Sequence, residues 1–182
     1  AQRALELVRS RAKAWRVDPD KIGIAGSSAG GHLAATAGTH FNKPVIPNPG
    51  GTNLRPDFLV LNYPVISFAD SLTHPGSLRN LIGRQDTDGA WVIPETGVAA
   101  FSNERHVTAD TPPTFITHAV DDGVVDVRNS LLFIAALQQQ QVPVESFFYA
   151  EGGHGYGMDN PRAEQDWMEP CIRWILRQFT DE

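Results

Sequence analysis

Apolar residues recur along this chain with two periods, one suited to helices and one to buried strands. Ala4, Leu5, Val8, Ala12 and Trp15 fall on one helical stripe with Arg, Lys and Glu between them. Asp18-Pro19-Asp20 ends that helix. Residues 21–26 form a short apolar run that predicts a buried strand, and 29–37 are small and helix-compatible. Apolar runs at 58–61, 114–119 and 144–149 predict three further strands. A helix is predicted over 129–140, with Leu131, Leu132, Ala135, Ala136 and Leu137 toward the sheet. A closing helix carries Trp167, Cys171, Trp174, Ile175 and Phe179 on one face. Asp166 is its expected cap, Glu169 completes a capping box and Pro170 falls in the tolerant first turn. Strands alternating with helices predict an α/β fold: a mostly parallel sheet flanked by helices, in one domain over 1–182.

The stretch 65–113 breaks the alternation. It is long, irregular and rich in Gly and Pro, as lids and binding segments are. A disordered insert is the alternative, and Trp91, Val92, Ile93 and Phe101 weigh against it because large apolar groups favour burial.

Composition narrows the function. Hydrophobic residues make up 41% and charged residues 20% of 182, as in ordinary globular proteins, and that length suffices for a core. The formal net charge of -6 argues against a nucleic-acid partner, which requires clustered cations. Arg9, Arg11, Lys13 and Arg16 are read as a solvated helix face. Cys171 is the single cysteine, so an internal disulfide is excluded, and its apolar helical setting predicts a buried thiol. No apolar stretch approaches the length of a membrane span, and no secretory signal is visible. The chain opens at Ala1 without an initiator Met, so the compartment stays open.

Candidate chemistry begins at Gly26-Ser27-Ser28-Ala29-Gly30, a G-x-S-x-G motif between a predicted strand and a predicted helix. In a chain with 16 glycines the motif alone is unspecific; its context makes it a nucleophile elbow. Ser28 would stand at the strand's C-terminal end in a strained backbone conformation. Gly26 and Gly30 are expected where a β-carbon would collide with a neighbouring element. The Ala29 N–H, at the positive end of the following helix, would meet a developing oxyanion. Ser27 is a second hydroxyl, at the wrong place in the motif.

A serine nucleophile needs a base, and the base an orienting acid. Of six histidines, His154 has glycines on both sides in Gly152-Gly153-His154-Gly155, just past the last predicted strand. His32 lies on the helix after the elbow, His118 reads as structural, and His40, His74 and His106 lack supporting context. Asp121, Asp122 and Asp126 follow the third strand, and the residues alone leave the acid open among them.

Gly26-Ser27-Ser28-Ala29-Gly30-Gly31-His32-Leu33-Ala34-Ala35 resembles the elbow of α/β-hydrolase esterases of the acetyl-xylan-esterase-like group, relatives of the hormone-sensitive-lipase enzymes. Thr111-Pro112-Pro113-Thr114-Phe115, His118-Ala119-Val120-Asp121-Asp122-Gly123-Val124-Val125 and Asn129-Ser130 resemble that family's acid loop, and 152–157 its His loop. The family acid commonly sits four residues before a proline; Asp126 holds that place, which points to Asp122 although the proline is missing. The resemblance spans essentially the whole chain. It implies the C-terminal half of an α/β-hydrolase and a Ser28–His154–Asp122 triad that forms an acyl-enzyme without metal or cofactor. It implies short acyl or acetyl esters as substrates, small molecules or plant polysaccharides. Ser27 and Tyr156 are candidate substrate contacts, and Trp91, Phe101 and Tyr156 are candidate pocket walls, with core packing an equally good account of Trp91 and Phe101.

The family's upstream strands and His-Gly-Gly oxyanion loop have no counterpart here. The expectation is therefore an N-terminally truncated chain, weakly active alone, with an unpaired strand edge that invites a homo-oligomer. Two alternatives remain: a serine peptidase of the prolyl-oligopeptidase kind, and a non-catalytic α/β-hydrolase homologue.

Overall fold

The computed structural model of the protein describes residues 1–69 and 71–180. Its elements run α1 (Gln2–Trp15), β1 (Ile24–Ser27), α2 (Ala29–Thr39), β2 (Leu59–Asn62), α3 (Pro75–Ile82), β3 (Arg84–Gln85), β4 (Trp91–Val92) and α4 (Glu95–Phe101). A 3-10 turn (Asn103–His106) then leads to β5 (Thr114–Ala119), α5 (Arg128–Gln139), β6 (Val144–Tyr149) and α6 (Met168–Arg177).

The main sheet has the order β1-β2-β5-β6, and every pair is parallel. Ser27 lies level with Asn62, Asn62 with Thr117, and Ala119 with Tyr149. This register gathers the loops after β1, β5 and β6 on one rim, where open α/β sheets place their ligands.

Side chains alternate between the faces of the sheet, as the strand period requires. Leu59, Leu61 and Ile116 meet Ala34 and Ala35 of α2 and Phe133 and Leu137 of α5. Val60, Phe115 and Tyr149 meet Trp167, Cys171 and Trp174 on the other face. Small residues let α2 lie close: a β-carbon on Gly38 would stand 2.5 Å from Leu59 Cδ1.

Several expectations shift. On α1 only Leu5 and Ala12 are buried, and Trp15 is 51% exposed. Arg9 is not part of a solvated face: it bonds the Pro19 and Asn53 carbonyls and Asp57, whose carboxylate also takes the Ile22 N–H. The buried face of α5 is Asn129, Ser130, Phe133 and Leu137, while Leu131 is exposed; two polar residues head the stripe, so apolarity alone misplaced it. At α6 the Asp166 carboxylate does accept the Met168 N–H, but Glu169 turns outward to Arg173 and no capping box forms.

The excursion 65–113 contains α3, α4, the 3-10 turn and the short antiparallel β3–β4 ladder. Residue 70 within it lies outside the described residues. Trp91 and Val92 stay on its surface, with the Arg79 guanidinium 5.2 Å from the Trp91 ring centre. Phe68 and Val65 pack with Val125 as a third small core. Asn129 pins the start of the segment by accepting the Ile66 and Ser67 N–H groups.

Candidate active site

The turn from β1 into α2 holds Ser28 at φ 54°, ψ -121°, a left-handed conformation costly for any residue with a β-carbon. Its N–H donates to the Asn62 carbonyl, and its own carbonyl accepts from the His32 and Val65 N–H groups. These bonds across three segments hold the strain in place. A β-carbon on Gly26 would sit 2.1 Å from the Gly30 carbonyl oxygen. Gly30 itself faces no atom within 4 Å, so the expectation that it too must lack a side chain is corrected. Gly31 is the second constrained position of the elbow: a β-carbon there would sit 2.7 Å from Pro64 Cβ. Gly26→Ala is therefore expected to cost about 3 kcal/mol or to prevent folding. Gly30→Ala, inside a helix with open space, should be neutral or stabilise by up to about 1 kcal/mol. Urea unfolding of the two variants checks this, and equal midpoints would contradict it.

The three distant side chains meet. His154 Nε2 lies 2.9 Å from Ser28 Oγ, and His154 Nδ1 lies 2.7 Å from Asp122 Oδ2. A carboxylate only accepts, so Nδ1 carries the proton and Nε2 is free to accept from the serine hydroxyl. Gly153 and Gly155 have φ of 62° and 85°, which lets the loop double back on both sides of the imidazole. Tyr63 meets the His154 ring edge-on at 4.8 Å, and its hydroxyl accepts the Gly157 N–H at 3.1 Å.

Each of the three candidate acids has a distinct place. Asp122 Oδ1 accepts the Val124 and Val125 N–H groups, and Oδ2 accepts from His154 and from His118. Burial works against its charge, but the bonds from His154, Val125 and Val124 outweigh it and hold the carboxyl below the usual carboxylate range. Asp121 instead accepts the Gly152 and Gly153 N–H groups and so anchors the His loop. Asp126 is tied to Arg128.

Beside Ser28 opens a cavity of about 570 Å³, walled by apolar Leu33, Phe68, Leu81 and Phe101 with His32 and His74 among them. Ala29, first residue of α2, also lines it, and its N–H has no acceptor within the helix. Ser27 and Trp91 do not line this cavity. Neither does Tyr156, which is buried, with its hydroxyl on Thr117 Oγ1 at 2.9 Å and its ring against Tyr63 and Tyr149. Burial raises the Tyr156 phenol above its ordinary value. Cys171 is buried, and burial pushes its thiol up to about 12. Among the described residues no group of three His, Cys, Asp or Glu is placed to hold a metal, and no helix is long and apolar enough to cross a membrane.

The far wall of the cavity is fastened by imidazoles. The last carbonyls of α4 lack helical partners, as at any helix end. His106 takes that of Ala99, His40 that of Ala100 and His32 that of Phe101, while the Val98 carbonyl, already bonded to the Ser102 N–H, also accepts the Ser102 hydroxyl. Burial holds His32, His40 and His118 below the ordinary imidazole value of 6.5. The unfolded chain therefore takes up these protons first, and stability is lost as pH falls below about 6.5. Asp122, held low, adds a second loss below about pH 4. The urea midpoint is expected to drop between about pH 7 and pH 5; a flat or rising midpoint there would exclude neutral buried imidazoles.

The chain matches the BD-FAE family model over residues 1–137. It belongs to the BD-FAE family. The acetylxylan esterase of Xylanibacter ruminicola is 32% identical over 86% of this BD-FAE chain and 30% of its own length. Endo-1,4-beta-xylanase B of Butyrivibrio fibrisolvens is 34% identical over 91% of this chain and 25% of its own. The chain thus spans a quarter to a third of these curated relatives. The acetyl ester-xyloside bifunctional hydrolase of Caldicellulosiruptor lactoaceticus superposes with a TM-score of 0.85 at 39% identity, over 97% of this chain and 63% of that one. Likeness to an α/β-hydrolase from a deep-sea metagenome, with a TM-score of 0.62, places the fold in that class.

Proposed function

We propose that this chain carries the catalytic centre of a serine-dependent carboxylic ester hydrolase acting on short acyl or acetyl esters, including those of plant polysaccharides. One observation carries the reading: the Ser28 hydroxyl, the His154 imidazole and the Asp122 carboxylate form a continuous hydrogen-bonded relay of 2.9 Å and 2.7 Å. Similarity to the acetylxylan esterase and to the acetyl ester-xyloside bifunctional hydrolase supports the acyl group.

Ser28 Oγ attacks the ester carbonyl while His154 Nε2 takes its proton. Asp122 keeps the imidazole in the required tautomer and stabilises its cation. The tetrahedral oxyanion meets the Ala29 N–H and the positive end of α2. His154 then protonates the leaving alcohol, next deprotonates a water that attacks the acyl-enzyme, and Ser28 leaves with its hydroxyl restored. The apolar cavity beside Ser28 holds the part of the ester flanking the scissile bond. The test is labelling by a fluorophosphonate, with p-nitrophenyl acetate assayed beside a prolyl-peptide substrate. The label is expected on Ser28 and cleavage on the acetate; an unlabelled Ser28, or preference for the peptide, would overturn the reading.

A further inference from the structure

A second imidazole stands behind the acid. His118 lies near the end of β5 and is fully buried. Its Nε2 is 2.9 Å from the Val125 carbonyl oxygen and 3.1 Å from Asp122 Oδ2, and its Nδ1 is 2.8 Å from Ser130 Oγ. A carbonyl only accepts, so Nε2 carries the proton and donates to both oxygens. Nδ1 is then bare, and the Ser130 hydroxyl donates to it. Burial favours this neutral form. The chain Ser130→His118→Asp122←His154 follows, with both imidazoles on the same carboxylate oxygen.

We propose that His118, polarised by Ser130, is a positioning residue that aims Asp122 at His154 and sets how strongly Asp122 attracts the His154 proton. The proposal rests on the triad reading for its role in turnover but not for its geometry. A donor to Oδ2 withdraws part of the charge that would otherwise stabilise the His154 imidazolium. Removing it leaves Asp122 more basic, favours protonated His154 and moves its titration to higher pH. The bond from Ser130 strengthens the Nε2–H as a donor, because hydrogen bonds in a buried chain polarise one another. The charged and titratable groups near the pair include His154 on its loop, Asp126 on the acid loop, paired with Arg128 at the start of α5, and Tyr156; Ser130 of α5 bonds His118.

The experiment is an NMR titration of the His154 ring protons in the full chain and in three variants. His118→Leu should raise the midpoint by about one pH unit, and Ser130→Ala by about half that. His118→Gln, which restores a side-chain N–H near Nε2, should return it toward wild type. A packing role alone would change stability and leave the midpoint where it was. If His118→Leu does not fold, Ser130→Ala decides, since it removes one atom from a serine on a helix. An unmoved midpoint in Ser130→Ala overturns the proposal. A shift there together with a Ser28 that no fluorophosphonate labels upholds the coupling and removes only the esterase reading.

Discussion

Ser28→Ala is expected to leave the chain folded and to lower ester turnover by about a millionfold, with loss of fluorophosphonate labelling. Ser28 Oγ is the group within bonding distance of His154 Nε2, at 2.9 Å. Ser27, its neighbour, is outside the cavity and cannot substitute. What remains after the change is the Ala29 N–H and the cavity, which still bind and polarise an ester but offer it no nucleophile. Alanine keeps the β-carbon, so the left-handed backbone at φ 54° stays as strained as before and the unfolding midpoint should not move. Ser28→Gly, equally inactive, should gain about 1 kcal/mol by relieving that strain. Turnover within about tenfold of wild type in Ser28→Ala would remove Ser28 from the chemistry.

Asp122→Asn is expected to cost about four orders of magnitude in turnover while preserving most of the geometry. The direction of the amide follows from its neighbours. Val124 and Val125 present two fixed N–H donors to one oxygen of Asp122, so the amide oxygen must take that place. The amide nitrogen then faces His118 and His154 and can only donate. His154 responds by placing its proton on Nε2, the nitrogen that should accept from Ser28. The base is lost through its tautomer and not through its position. Steady-state turnover together with the His154 nitrogen shifts checks this: a wild-type tautomer with full activity would show that Asp122 plays no orienting part.

Much of the site was legible because it is written in short, local motifs. A strand followed by Gly26-Ser27-Ser28-Ala29-Gly30 and a helix reads as a sharp turn, and a β-carbon on Gly26 would indeed meet backbone at 2.1 Å. His154 stood out by the glycines beside it, two of which have positive φ. Contacts that join remote segments were not legible. Tyr63, just past β2, carries no local mark of its contact with His154, and Ser130, though part of the acid-loop resemblance, none of its bond to His118. Asp121, weighed as the alternative acid, turned out to hold the His loop, because adjacent carboxylates on one turn point to different partners.

By itself, the sequence determined the alternation of strands and helices, the parallel sheet and the position of Ser28 at a strand's end, since period and turn chemistry act over a few residues. Tertiary structure alone decided which aspartate faces His154, which face of α5 is buried, and that Ser27 and Tyr156 stand away from the cavity. Those choices depend on the register of β1, β2, β5 and β6 and on the loops above it. A difference of a few ångströms across segments far apart in the chain separates a bonded pair from two solvated groups, and no local pattern records it.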